Sequence, residues 1–129
     1  YMGIAELRAM REAGMYIGSH GYDHYWLDTL DARDQEREIE LSLRFLDAVG
    51  SDLDNWVIGY PYGAHNDSLL GILRDRSCKA GFATEVRIAD LGQDDPLTLP
   101  RLDTNDLPKR GDAAPNLWTL QALQESAVA

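Results

Sequence analysis

His20 and His24 lie four residues apart, in the segment His20-Gly21-Tyr22-Asp23-His24, and have the type and spacing of metal ligands. Neutral imidazole is the commonest zinc ligand in proteins, with a nitrogen–metal distance of about 2.0–2.1 Å. Side chains four residues apart on a helical turn have Cβ atoms roughly 5–6 Å apart, so both could reach one ion. Two histidines in a polar loop can equally be solvated, and a catalytic zinc needs a third protein ligand. Spacing alone leaves both interpretations open.

A tight turn, Pro61-Tyr62-Gly63, follows a predicted strand directly. Such a turn could present a backbone N–H to a developing negative charge, as an oxyanion hole does. It could equally be an ordinary connection between a strand and a helix. The nearby His65 is most simply an exposed loop residue, with a role as third metal ligand or acid as the alternative.

Arg101 and Asp103 follow another predicted strand. They could orient one another or bind a sugar hydroxyl. They could equally form a surface ion pair that contributes little to stability.

Helices are predicted where apolar residues recur at helical spacing, over residues 4–13, 32–49 and about 67–76. Asp31 and Asn66 are suitable N-cap residues for the second and third helices. Gly50 suits the left-handed residue that closes the second helix. We interpret the charged side chains of the second helix as its solvated face. They are Glu36, Arg37, Glu38, Glu40 and Arg44.

Strands are predicted for the short apolar segments between these helices, at residues 15–18, 55–60, 80–84 and 97–99. Alternating helices and strands predict an α/β fold with parallel strands joined by crossover helices. The histidine pair and the Pro-Tyr-Gly turn each follow a strand, where such folds build their sites. Residues 103–115 are predicted to be a loop, and residues 117–127 could add a terminal helix.

The composition is that of one globular domain of 129 residues, of which 44% are hydrophobic. The net charge of −10 argues against binding nucleic acid or anionic lipid, since both require clustered cations. A single cysteine, Cys78, excludes an intrachain disulfide and a cysteine-rich zinc site. The sequence has no apolar run that could span a bilayer and no signal-peptide pattern. We expect a soluble chain whose compartment is unknown.

Three of these segments together resemble the polysaccharide deacetylase family, also known as carbohydrate esterase family four. The family pattern of a histidine, a Ser or Thr, two further residues and a second histidine is matched at His20 and His24, with Gly21 in place of the hydroxyl residue. The next family motif, an arginine, one variable residue and Pro-Tyr, is matched from residue 61, with Gly59 at the arginine position. Residues 99–103 are similar to a later, more variable region.

The resemblance implies a partial, deformed (β/α) barrel that binds one divalent metal, usually zinc, and hydrolyses N- or O-acetyl groups on sugars. It implies that His20 and His24 are metal ligands and that the backbone N–H of Tyr62 completes the oxyanion hole. Pro61, Tyr62, Arg101 and Asp103 are the implied substrate-binding residues, and the substrate is an acetylated sugar or polysaccharide.

Two parts of the family site have no match in this sequence. The family's first motif, an aspartate pair that supplies the base and the third ligand, lies upstream of the histidines, where this chain has only Glu6 and Glu12. The family's last motif contains a histidine, but no histidine follows His65. We therefore expect residues 1–129 to be one partial domain that lacks its first strands. We expect weak zinc binding, little activity alone, and self-association through an exposed sheet edge.

Two alternatives remain at the level of sequence. One is a non-catalytic relative of the deacetylases that binds carbohydrate. The other is an unrelated, doubly wound α/β interaction module in which the two histidines are only structural.

Overall fold

The computed structural model describes residues 2–126. Its helices and strands are α1 (Ile4–Glu12), α2 (Ala32–Val49), β1 (Val57–Gly59), α3 (Asp67–Asp75), β2 (Ala80–Phe82) and α4 (Leu117–Ser126). Short 3-10 turns cover Leu27–Thr29, Pro61–Gly63, Pro96–Thr98 and Thr104–Asp106. The four predicted helices are therefore confirmed. The predicted last residue of the terminal helix, at position 127, lies outside the described residues.

The helix ends follow their local capping residues, as predicted. The Asp31 carboxylate accepts the backbone N–H of Asp34 at 2.9 Å, and the Asn66 side chain accepts that of Leu69 at 3.0 Å. Gly50 closes α2 with a φ of 80°, in the left-handed region where a Cβ is unfavourable. These signals lie within a few residues of each helix end, so they can be read without knowing the fold.

The two strands pair in parallel, with Val57 opposite Ala80 and Gly59 opposite Phe82. Single parallel bridges extend this order on both sides, from Ser19 to Ile58 and from Phe82 to Leu99. Four segments therefore lie side by side in chain order, joined by α2, α3 and a long loop. This arrangement confirms the predicted α/β class with parallel strands.

Two of the predicted strands are wrong. Residues 15–18 form no strand, and only the following Ser19 pairs with the sheet. Met15 and Tyr16 are more than half exposed, which differs from the burial expected of an apolar strand. Residues 97–99 lie mostly in a 3-10 turn, which begins at Pro96 because proline suits the first position of a helix. The Asp95 carboxylate then caps this turn by accepting the backbone N–H of Leu97 at 2.9 Å.

The core lies between the sheet and the inner faces of α2 and α3. Its fully buried side chains include Leu27, Ile39, Leu46, Trp56, Ile58, Tyr60, Leu69 and Leu73. Helix α1 has no buried residue and is attached to the end of α2 through Arg8, whose guanidinium donates to the carbonyl of Ala48. Within the described residues, no helix combines the length and apolar character needed to cross a membrane.

The solvated face predicted for α2 is wrong at Glu38, which is only 5% exposed. Residues 35, 38 and 42 follow one another at helical spacing and share the inner face of α2 with Ile39 and Leu46. Gln35 is buried as well, and its side-chain amide donates to the carbonyl of Leu27 at 2.8 Å. The inner face of α2 therefore carries polar groups that contact the loops above the sheet.

Candidate active site

The two histidines predicted to bind metal lie side by side in the loop that follows Ser19. Their ring centroids are 4.8 Å apart and the ring planes are inclined by 62°. Both side chains are exposed. The structure therefore brings together the two imidazoles that the sequence singled out.

His20 is oriented by the last residue of β1. Its Nδ1 lies 2.6 Å from the carbonyl oxygen of Gly59. Because a carbonyl can only accept, Nδ1 carries the proton of the neutral ring, and the lone pair lies on Nε2. A backbone carbonyl that fixes the tautomer in this way is typical of histidines that bind metals.

Hydrogen bonds to side chains hold the loop between the histidines against α2. The carboxylate of Glu38 accepts the backbone N–H groups of Tyr22 and Asp23 at 3.1 and 3.0 Å. The hydroxyl of Ser19 accepts the N–H of Gly21 at 3.3 Å, and it is hydrogen-bonded to Ser42 of α2 at 2.7 Å. The prediction of a solvated Glu38 overlooks its helical spacing from Gln35 and Ser42, which places the three side chains on one face of α2.

The Pro61–Gly63 turn lies against the histidine pair. The ring of Tyr62 contacts that of His24 edge-on, with centroids 4.8 Å apart. Its backbone is in the left-handed region, at φ 59° and ψ 8°, as is that of His24, at φ 60°. Non-glycine residues in this region cluster at functional sites, because only strong local contacts maintain the strain.

Gly63 is required by the packing of this turn. Its φ is 73°, and a Cβ added there would lie 2.1 Å from the hydroxyl oxygen of Thr84. Pro61 is fully buried beneath the turn. The Pro-Tyr-Gly sequence therefore fixes Tyr62 beside the histidines.

Gly21 and Gly59 are the two positions at which the sequence departs from the family pattern. Gly21 has a φ of 72°, which disfavours the Ser or Thr of the pattern. At Gly59 a Cβ would meet only Nδ1 of His20, at 3.6 Å, which is an ordinary contact. The loop therefore accounts for Gly21, whereas nothing in the described structure requires glycine at position 59.

A stacked pair of aromatic rings borders the site. The indole of Trp26 and the phenol ring of Tyr62 are both about half exposed. The sequence does not predict this pair, because the contact of Trp26 with Tyr62 is between loops that are distant in sequence. The pair extends the exposed surface of the site beside the histidines.

His65 lies outside the histidine pair. Its ring stacks on Tyr60 at 5.1 Å, and its Nδ1 lies 2.9 Å from the carbonyl of Gly63. The side chain is partly buried, where the simplest sequence interpretation made it exposed. These contacts give His65 a structural role in the turn.

Arg101 and Asp103 form no ion pair with each other in the described part of the chain. The Asp103 carboxylate instead caps the turn Thr104–Asp106 by accepting the N–H of Asn105 at 2.8 Å. This hydrogen bond lowers the pKa of Asp103. The side chain of Arg101 is exposed, and its backbone N–H donates to the backbone carbonyl of Glu85 at 3.0 Å.

The described side chains include no cluster of three or more His, Cys, Asp or Glu that could hold a metal ion. The histidine pair therefore offers two ligands of the type that zinc prefers, without a third in the described chain.

Several solved structures share the fold of this chain. The Streptococcus pyogenes deacetylase PplD, in complex with acetate, is 25% identical with a TM-score of 0.73 over 95% of this chain and 50% of that chain. IcaB from Ammonifex degensii is 20% identical with a TM-score of 0.66 over 81% of this chain and 49% of that chain. A family 4 carbohydrate esterase from Streptomyces lividans, in complex with acetate, is 23% identical with a TM-score of 0.54 over 67% of this chain and 42% of that chain.

This chain spans about half the length of those proteins. No curated protein sequence matches it significantly. The family model for polysaccharide deacetylase matches residues 3–81, which is more than half of the chain and includes both histidines and the Pro-Tyr-Gly turn. The resemblance seen in the sequence is thereby confirmed, and the chain belongs to the polysaccharide deacetylase family.

Proposed function

We propose that this chain supplies part of the active site of a metal-dependent carbohydrate deacetylase, which hydrolyses N- or O-acetyl groups on a sugar. The observation that carries the proposal is the contact of His20 with His24 beside the Pro61–Gly63 turn, at the carboxyl end of β1. Membership of the polysaccharide deacetylase family supports it.

The histidine pair fits a zinc ion in ligand type and spacing. Nε2 of His20 carries a free lone pair because Nδ1 donates to Gly59, and the ring of His24 lies 4.8 Å away. A divalent cation bound there would supply Lewis acidity towards the acetyl carbonyl and a water of lowered pKa. Since the described residues add no third ligand, we expect the chain alone to bind zinc weakly and to have little activity.

The backbone N–H of Tyr62 is the proposed oxyanion donor. It forms no hydrogen bond within the described residues, whereas the next two N–H groups, of Gly63 and Ala64, close the turn. A donor held in a rigid turn needs no reorganisation when the acetyl oxygen gains negative charge. Tyr62 would thus act through its backbone, and its ring would contact the substrate.

The aromatic surface made by Trp26 and Tyr62 is the proposed sugar-binding surface. Both rings are about half exposed, and rings of this kind can cover the apolar C–H face of a pyranose. Two of the structurally similar proteins, the Streptococcus deacetylase and the Streptomyces esterase, are in complex with acetate, which is the product of deacetylation. We keep Pro61, Arg101 and Asp103 as proposed outer parts of the substrate site.

The sheet is proposed to be part of a deformed (β/α) barrel. Four parallel segments lie in chain order, from Ser19 through β1 and β2 to Leu99, and helices connect the first three. This order is that of successive barrel strands, and the polar loops of the site all follow these segments.

A non-catalytic carbohydrate-binding relative is the second candidate. Gly59 at the arginine position of the family pattern and the missing third ligand in the described residues favour it. Family membership excludes the unrelated interaction module.

Metal titrations of the purified chain test the proposal. Competition with a chromophoric chelator should give a zinc dissociation constant weaker than micromolar, and H20A or H24A should abolish binding. H65A is the matched control and should leave affinity unchanged, because His65 stacks on Tyr60 away from the pair. Acetate should perturb the visible spectrum of bound Co²⁺ if the site has an open position. Binding of N-acetylglucosamine oligomers with no metal uptake would instead favour the non-catalytic relative.

A further inference from the structure

Three successive backbone N–H groups in the loop between the histidines are bound by side chains. The N–H of Gly21 donates to Ser19, and those of Tyr22 and Asp23 both donate to Oε2 of Glu38. Ser19 is itself hydrogen-bonded to Ser42, one helical turn after Glu38 on α2. The loop is therefore fixed on α2 at two adjacent turns.

Glu38 is an unusual residue for this position, because a glutamate that is only 5% exposed needs compensating partners for its carboxylate. None of the ion pairs in the described chain includes it. Its hydrogen-bond partners are the two loop N–H groups. The carboxylate is thus committed to the loop rather than to a cation, which distinguishes it from the exposed charges of the same helix.

The loop has a conformation that needs such support. Gly21 and His24 both have positive φ, at 72° and 60°, and this region is uncommon for residues other than glycine. The two N–H groups bound by Glu38 lie between them. Releasing them would let residues 21–24 relax, and the separation of the imidazole rings would no longer be fixed.

We propose that Glu38 is the positioning residue of the histidine pair: its buried carboxylate holds the loop in the strained conformation that sets His20 and His24 at metal-binding separation. The metal-binding part of this inference rests on the proposed function, whereas the loop-holding part does not. Glu38 acts on the proposed metal site through the loop backbone, so its proposed role is positioning and not ligation.

Substitutions at residue 38 separate this role from general stability. E38A removes both hydrogen bonds, whereas E38Q keeps the shape and one acceptor oxygen but loses the charge. E36Q is the matched control, because Glu36 is an exposed carboxylate on the same helix. The amide of Ile58 in β1 reports whether the core of each variant is intact.

Two measurements are made on each variant. In the metal-free chain, hydrogen exchange followed by NMR should be at least about tenfold faster at the amides of Tyr22 and Asp23 in E38A, with a smaller change in E38Q and none in E36Q. Titration with Zn²⁺ and Co²⁺ should give an affinity at least about tenfold lower in E38A, partly restored in E38Q and unchanged in E36Q. If the Ile58 amide of E38A also exchanges faster, the core of that variant is perturbed. E38Q then decides whether Glu38 holds the loop.

The outcomes distinguish the two proposals. A wild-type chain that binds neither cation would refute the proposed metal site, while the exchange rates would still report whether Glu38 holds the loop. A wild-type chain that binds zinc, with E38A and E38Q matching it in affinity, would refute the positioning role alone. Unchanged exchange at Tyr22 and Asp23 in both variants would refute it as well.

Discussion

The indole ring of Trp26 lies parallel to the phenol ring of Tyr62, with centroids 4.4 Å apart and planes inclined by 6°. The ring of Tyr62 also meets the ring of His24 edge-on. The rings of His24, Tyr62 and Trp26 are therefore in contact one after another. This arrangement places an exposed aromatic surface next to the proposed metal ligands.

Replacing Trp26 should weaken sugar binding. Aromatic contacts of this kind contribute about 0.5–1.5 kcal/mol beyond area burial, so W26A should lower the affinity for N-acetylglucosamine oligomers by roughly two- to tenfold. W26F keeps a stacked ring and should lose less. Isothermal titration calorimetry measures both variants, and equal affinities in W26A and the unaltered chain would contradict the proposed surface.

Gly63 should tolerate no side chain. G63A would place a methyl group 2.1 Å from the Thr84 hydroxyl oxygen at a φ of 73°, and strained backbone of this kind alone costs on the order of 1–3 kcal/mol. Urea denaturation should show at least that loss. G71A in α3 is the matched control, because a Cβ there meets nothing within 4 Å and alanine favours a helix. A G63A chain as stable as G71A would show that the turn is more adaptable than its packing indicates.

The ion pair of Asp94 and Arg87 should make stability depend on pH at the acid end. Hydrogen bonds from Arg87, and then from the backbone of Asp90, lower the pKa of Asp94 to about 2. An unfolded aspartate titrates near 3.9, so the native carboxylate stabilises the fold above about pH 4, and this contribution is lost as the pH falls through about 2. Melting temperatures of the unaltered chain and of D94N should therefore converge between pH 4 and pH 2. A constant difference over that range would contradict the assignment.

Self-association through an open edge of the sheet remains a prediction. Ser19 makes only a single bridge to the sheet, and Met15 and Tyr16 in the segment before it are 55% and 58% exposed. Unpaired edges and exposed apolar side chains favour association. Light scattering should give a mass that rises with concentration, and M15K should reduce the rise. A monomeric mass at high concentration in the unaltered chain would overturn the prediction.

Local signals in the sequence were sufficient to predict the helices. Asp31, Asn66 and Gly50 act within a few residues of themselves, and the structure places each at the predicted helix end. The strands were harder to predict from the sequence, because a three-residue apolar segment has too few side chains to show a period. Leu97 and Leu99 are buried as an apolar strand would be, yet Pro96 and Asp95 start a 3-10 turn there.

The candidate site was predictable where motif and fold agree. The histidine pair and the Pro-Tyr-Gly turn follow parallel segments that end at the same edge, so their contact follows from the α/β order. Glu38 could not be identified as part of the site in the same way, since its partners are backbone N–H groups 15 and 16 residues away. The Trp26–Tyr62 stack likewise depends on two loops meeting, which no single segment encodes.

The hydrogen bond from His20 to Gly59 uses main-chain oxygen, so no substitution at position 59 can delete it directly. Position 59 also has an ordinary backbone conformation and space for a Cβ. Protein engineers could therefore place a cationic side chain such as arginine at position 59 while leaving the tautomer of His20 intact. The carboxyl end of β1 is therefore a position at which a new side chain can be added next to the proposed site.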